Sequence, residues 1–206
     1  MRDLVPIANE IRAGEEIRWV FPQAPVALPG YPAGRAWFPR TAFELEAFAS
    51  GSSFHDLAGT DPSGLRESAA EVLEMIDHLD IDPSRCIIGG FSQGAMVAVE
   101  TALTAGVRFA GIVVLSGSLI AAARWSDLAG RVRDVPVFQS HGVADPLLPY
   151  SQAQRLRDLL TGGGARVTFV SFDGGHAVTP AVVDALQQFI RERTSASVPP
   201  STDTVP

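Results

Sequence analysis

The feature that most constrains this chain is an alternation. Short, almost wholly apolar runs at residues 85–90, 110–115, 135–140 and 167–172 are each followed by a stretch of helical character. A strand can be apolar along its whole length only if both faces of its sheet are covered. The pattern therefore predicts an α/β fold: a mostly parallel central sheet with helices on both faces. An earlier run, residues 17–20, reads as a further strand closed by the Pro22 and Pro25 region. Residues 26–60 are rich in Gly, Pro and aromatics and read mostly as loop.

The intervening helices carry their own signals. Asp61-Pro62 reads as a helix start, with Asp61 at the N-cap and Pro62 fixing φ at the first helical position. Leu65, Ala69, Val72, Leu73, Ile76 and Leu79 recur at the spacing of a buried stripe. Helices are expected over 95–105, closed by Gly106, and over 151–161, stopped by Gly162-Gly163-Gly164. A last one opens at Thr179-Pro180, with Val183, Leu186 and Ile190 facing inward. Residues 1–193 are read as one domain and 194–206, composed of Ser, Thr, Pro and small residues, as a disordered tail.

Composition excludes whole classes of chemistry. All sixteen basic residues are arginine, so no Schiff-base or P-loop lysine is available. The net charge is −7 without a basic run, which argues against nucleic acid and against an anionic membrane surface. No stretch of about twenty apolar residues is long enough to span a bilayer. There is one cysteine, Cys86, followed by Ile87 and Ile88 in an expected strand. It forms no intrachain disulfide or metal cluster, reads as a small core residue, and makes the cytoplasm the expected compartment.

What remains is serine chemistry. Gly90-Phe91-Ser92-Gln93-Gly94 fits Gly-x-Ser-x-Gly and lies between an expected strand and an expected helix. On such a turn the serine hydroxyl projects from the carboxyl edge of the sheet, and the glycines leave room for the sharp backbone. A serine needs a base, and the base needs an orienting acid. Asp145 follows the run at 135–140, and His176 follows the run at 167–172. All three stand just beyond strand ends, the edge where open α/β sheets bind ligands. Ser92, Asp145 and His176 are thus the expected catalytic residues, in the chain order of α/β-hydrolases. Asp173 is the rival acid but would have to fold back within one turn. His141, at the end of a buried strand, is expected to serve the structure, and His55 and His78 to be solvated. No His-Glu-x-x-His helix supports a metal.

The chain also resembles a known family. Gly89-Gly90-Phe91-Ser92-Gln93-Gly94-Ala95, Ser140-His141-Gly142 with Asp145-Pro146, and Phe172-Asp173-Gly174-Gly175-His176 are similar to the carboxylesterase/phospholipase group that includes the acyl-protein thioesterases. Phe21-Pro22-Gln23-Ala24-Pro25 and Arg35-Ala36-Trp37-Phe38 match its upstream segments. The resemblance implies an α/β-hydrolase fold, no metal or organic cofactor, and a small-molecule acyl ester as substrate, with thioesters or lysolipids as variants. It implies Ser92 as nucleophile, His176 as base, Asp145 as orienter and the Gln93 backbone N–H as an oxyanion donor. It leaves a homodimer open. Trp37 and Phe38, with Leu147 and Leu148 beside the acid, are the candidate substrate-binding residues; the first two serve equally well as cover for a sheet edge. Arg35 and Arg40 are read as solvated.

One departure accompanies the match. Members of that family begin with a strand ending in a His-Gly-x-Gly loop that supplies the second oxyanion donor. Here Met1-Arg2-Asp3-Leu4 matches the helix after that loop, so an N-terminally shortened fold is expected. A truncated chain, closure of the gap by neighbouring strands, or a strand from a second subunit would each accommodate this. One lost donor costs about 2.7–4 kcal/mol of transition-state stabilisation. A hydrolase-like binding protein with impaired catalysis is therefore the alternative expectation.

Overall fold

The computed structural model describes residues 4–12, 17–28, 30, 33–39 and 57–194. Along them run α1 (Val5–Glu10), β1 (Val26–Ala27), β2 (Arg35–Ala36), α2 (Leu65–His78), β3 (Ile87–Phe91), α3 (Gln93–Thr104), β4 (Gly111–Leu115), α4 (Ala122–Leu128), β5 (Pro136–Gly142), α5 (Tyr150–Gly162), β6 (Arg166–Phe172) and α6 (Pro180–Thr194). The four apolar runs form one parallel sheet in the order β3-β4-β5-β6. β1 and β2 make a separate two-residue antiparallel ladder within the segment read as loop.

The period of two along β4 divides the core. Ile112 and Val114 face a cluster with Leu65 of α2, Met96 and Leu103 of α3, Trp125 of α4 and Leu156 and Leu160 of α5. Val113 and Leu115 face the opposite side, with Phe138 of β5 and Val182, Leu186, Phe189 and Ile190 of α6. Each such side chain contributes about 1.5–3 kcal/mol by leaving water, so the two-sided burial stabilises the parallel pairing. The same register aligns the carboxyl ends of β3, β5 and β6, where the candidate residues stand.

Three expectations change. Residues 17–20 carry no strand: Ile17 is half-buried against the α6 side, whereas Arg18, Trp19 and Val20 are exposed, and Trp19 stacks on Phe21 at 6.2 Å. Asp61 is not an N-cap. Its carboxylate is engaged by Arg124 and Arg66, and α2 starts later, at Leu65, behind Gly64 at φ +86°. The α2 stripe includes Ser68, whose buried hydroxyl donates to the Trp37 carbonyl. α6 runs through Thr194, while 195–206, His55 and Arg40 lie outside the described residues. No helix among the described residues is long and apolar enough to cross a membrane.

Candidate active site

The turn from β3 into α3 is set by close backbone approach. Ser92 has φ +56° and ψ −120°, outside the ordinary regions for a residue with a Cβ. A Cβ on Gly90 would stand 2.3 Å from the carbonyl carbon of Gly94, so only glycine fits there. The Ser92 N–H donates to Leu115 O at 2.9 Å, tying the turn to β4, and Ser92 O accepts from Ala95 and Met96. The first N–H groups of α3, those of Gln93 and Gly94, have no intrahelical acceptor and lie at the positive end of the helix.

Opposite stand the loops after β5 and β6, knitted by backbone hydrogen bonds. Val143 N–H donates to Phe172 O and Ala144 N–H to Gly174 O, each at 3.0 Å. Gly142 allows this approach, since a Cβ there would meet Gly175 O at 2.3 Å. Asp145 is 8% exposed and fully engaged. Its Oδ1 accepts from the N–H groups of Leu147 and Leu148 at 2.8 and 2.9 Å. Its Oδ2 accepts from His176 Nδ1 at 2.7 Å and lies 3.2 Å from His141 Nε2. Burial alone would raise this carboxyl, but hydrogen bonds from His141, His176 and the Leu148 backbone, with the His176 charge, hold it well below the usual carboxylate range.

The bond to Asp145 fixes the tautomer of neutral His176: Nδ1 carries the proton and Nε2 is a bare acceptor. Nε2 is buried and has no partner among the described residues. The ring lies 4.7 Å, centroid to centroid, from that of Phe91, the residue before Ser92. Ser92 Oγ and Nε2 are not hydrogen-bonded in this structure, and bonds of this kind commonly tighten only when substrate binds. Ser116, itself at φ +46°, donates from Oγ to Ala177 O at 3.2 Å and anchors the loop behind His176. Asp173, the rival acid, is exposed, and it is Asp145 that meets the imidazole. Burial pushes the Cys86 thiol up, away from the thiolate a nucleophile needs.

The four candidate substrate-binding residues occupy different settings. Trp37 is half-buried, with its indole nitrogen 3.2 Å from where a Cβ on Gly94 would stand, so it flanks the first turn of α3. Phe38 is 6% exposed and belongs to the core on the α2 side. Leu147 and Leu148 are buried, and their backbone N–H groups hold Asp145.

Two roles escaped the sequence. The Gln93 side chain accepts from Trp37 N–H at 2.7 Å and donates to Phe38 O at 2.9 Å, so the residue after Ser92 clamps the 37–38 backbone. A long amide directly after the serine was the only signal. The other is His141, whose spacing of four from Asp145 was visible but whose contact with the carboxylate was not. Among the described residues no three His, Cys, Asp or Glu side chains are grouped as a metal site requires.

The family described as Phospholipase/Carboxylesterase matches residues 6–194. Acyl-protein thioesterase 1 of Neurospora crassa is 31% identical over 187 residues, covering 87% of this chain and 75% of that protein. The crystal structure of SOBER1 from Arabidopsis thaliana matches with a TM-score of 0.74 at 22% identity, over 93% of this chain and 91% of that one. The carboxylesterase of Bacillus cereus matches with a TM-score of 0.66 at 19% identity, over 93% and 82%. These two structures establish the α/β-hydrolase fold.

Proposed function

The chain belongs to the phospholipase/carboxylesterase family, and we propose that it hydrolyses carboxylic esters of short to medium acyl chains through Ser92, His176 and Asp145. The observation that carries this reading is the oriented imidazole: Nδ1 bonded to a buried anionic carboxylate, Nε2 buried and unpartnered, the ring against Phe91.

The chemistry follows from those atoms. His176 Nε2 takes the hydroxyl proton as Ser92 Oγ attacks the acyl carbonyl, and Asp145 stabilises the imidazolium that forms. The tetrahedral oxyanion is met by the Gln93 N–H at the positive end of α3. His176 returns its proton to the departing alcohol, leaving an acyl-serine. Water, deprotonated by the same nitrogen, then attacks the acyl carbon, and the acid leaves as the serine is regenerated. A thiol leaving group follows the same course, so thioesters fall within the proposal. The Trp37 ring beside Gly94 serves as one wall for the acyl group. The single free thiol favours a reducing compartment, and the cytoplasm is part of the proposal.

Ser92→Ala, compared with wild type on p-nitrophenyl acetate and butyrate, is the test. Turnover is expected to fall to background with the fold intact by circular dichroism; unchanged turnover refutes the assignment of the nucleophile.

A further inference from the structure

His141 lies at the end of β5, four residues before Asp145, and is fully buried. Its Nε2 is 2.8 Å from Leu148 O and 3.2 Å from Asp145 Oδ2. Both neighbours are acceptors, so the one proton of the neutral ring sits on Nε2 and is shared between them. Nδ1 has no partner among the described residues. That suits a bare ring nitrogen better than a donor, because a buried N–H without an acceptor keeps its full desolvation cost. Tyr150 flanks the ring at 6.2 Å and itself packs on Phe169 at 5.9 Å, so the imidazole has little freedom to turn.

Asp145 therefore accepts three hydrogen bonds and has a fourth nitrogen, His141 Nε2, 3.2 Å from Oδ2. Leu147 and Leu148 fix Oδ1 through backbone, and two imidazoles converge on Oδ2. Of the four, only His176 changes charge during turnover, and it is carried on the loop after β6. His141 stands on a strand, in the core. Resting on the triad reading above, we propose that His141 is a positioning residue: it holds Oδ2 of Asp145, and through it the His176 ring, in one place while His176 gains and loses its proton. If His141 merely filled space under Leu148, its ring volume would matter and its N–H toward the carboxylate would not.

The test compares His141→Phe, which keeps a flat ring and loses the donor, with His141→Gln, which keeps a donor. His141→Phe is expected to lower kcat by about tenfold to a hundredfold, the worth of one hydrogen bond to a buried charge, with KM near wild type. His141→Gln should recover much of that loss. The far-downfield proton resonance of the His176–Asp145 hydrogen bond should move in the phenylalanine variant. Folded His141→Phe protein with wild-type kcat and an unmoved resonance overturns the proposal, as does a glutamine variant impaired as badly as the phenylalanine one. Should His141→Phe not fold, nitrogen-15 spectra of wild type decide: His141 must be the Nε2–H tautomer throughout the active pH range, and an Nδ1–H tautomer overturns the proposal. Ser92→Ala, run in parallel, separates the two readings. An active Ser92→Ala sinks the triad, whereas an inactive Ser92→Ala beside an unimpaired His141→Phe sinks only the role of His141.

Discussion

Among the described residues two carboxylates are buried, Asp145 and Glu100, and the groups facing them differ in kind. Glu100 lies in α3 with no exposed surface. One of its oxygens accepts from Arg124 and the other from the Trp125 indole N–H at 2.6 Å. Arg124 continues to Asp61 through two further bonds at 2.7 and 3.1 Å, joining α3, α4 and the segment before α2. The Asp61 hydrogen bond from Arg124 lowers its carboxyl and raises the guanidinium. An arginine does not lose its proton in a protein, so the cation of this network is fixed and the network acts as a brace. Asp145 instead faces two imidazoles, rings that can carry a proton on either nitrogen. The difference teaches where to look for chemistry: a buried acid paired with a fixed cation holds helices together, and a buried acid paired with a titratable ring can move protons.

The sharpest break in that comparison is expected from Asp145→Asn, which keeps the shape and removes the charge. Ester turnover should fall by about 10⁴-fold, because the amide no longer holds the productive tautomer or stabilises the imidazolium. A variant within tenfold of wild type would mean that the acid does no orienting. Glu100→Ala should do the reverse. Removing one member of a buried ion pair costs about 3–5 kcal/mol, and a melting curve should drop by roughly 10 °C for a chain of this size. Turnover per folded molecule should hold. Unaltered melting would deny the brace.

Acid should separate the two regions more gently. The Asp145 carboxyl is held below its unfolded value, near 3.9. The stability it lends is therefore complete above that pH and is lost as the pH falls through the lower folded value. Acid unfolding followed by circular dichroism should be less steep for Asp145→Asn; identical acid curves would remove this contribution. The smallest effect is expected at Asp61, which is 39% exposed by side chain. Asp61→Asn should cost at most about 1 kcal/mol, as solvent-screened pairs do, and a larger loss would make it part of the buried network.

How much of this was legible in the sequence varies with the range of the interaction. β3 to β6 announced themselves as apolar runs, since burial on both faces leaves no polar positions. The turn at Ser92 was legible because glycine at 90 is demanded by close approach, and the sequence also singled out His176 and Asp145, which the structure brings into hydrogen-bond contact. Residues 17–20 were misread because apolar composition marks burial but not a pairing partner. Asp61-Pro62 looked like a cap, and only a contact 63 residues away explains why the carboxylate turns elsewhere. Glu100 gave no sequence signal of its role, since nothing local named Arg124. Gln93 and His141 act through side chains reaching 56 and 4 residues away, onto backbone and carboxylate atoms that a pattern of residue types does not describe.

The most direct measurement is covalent. Wild-type protein treated with a fluorophosphonate and digested for mass spectrometry should carry one adduct, on Ser92, and His176→Ala should label far more slowly. Folded protein that stays unlabelled, or carries its adduct on another residue, would contradict an activated serine at the end of β3.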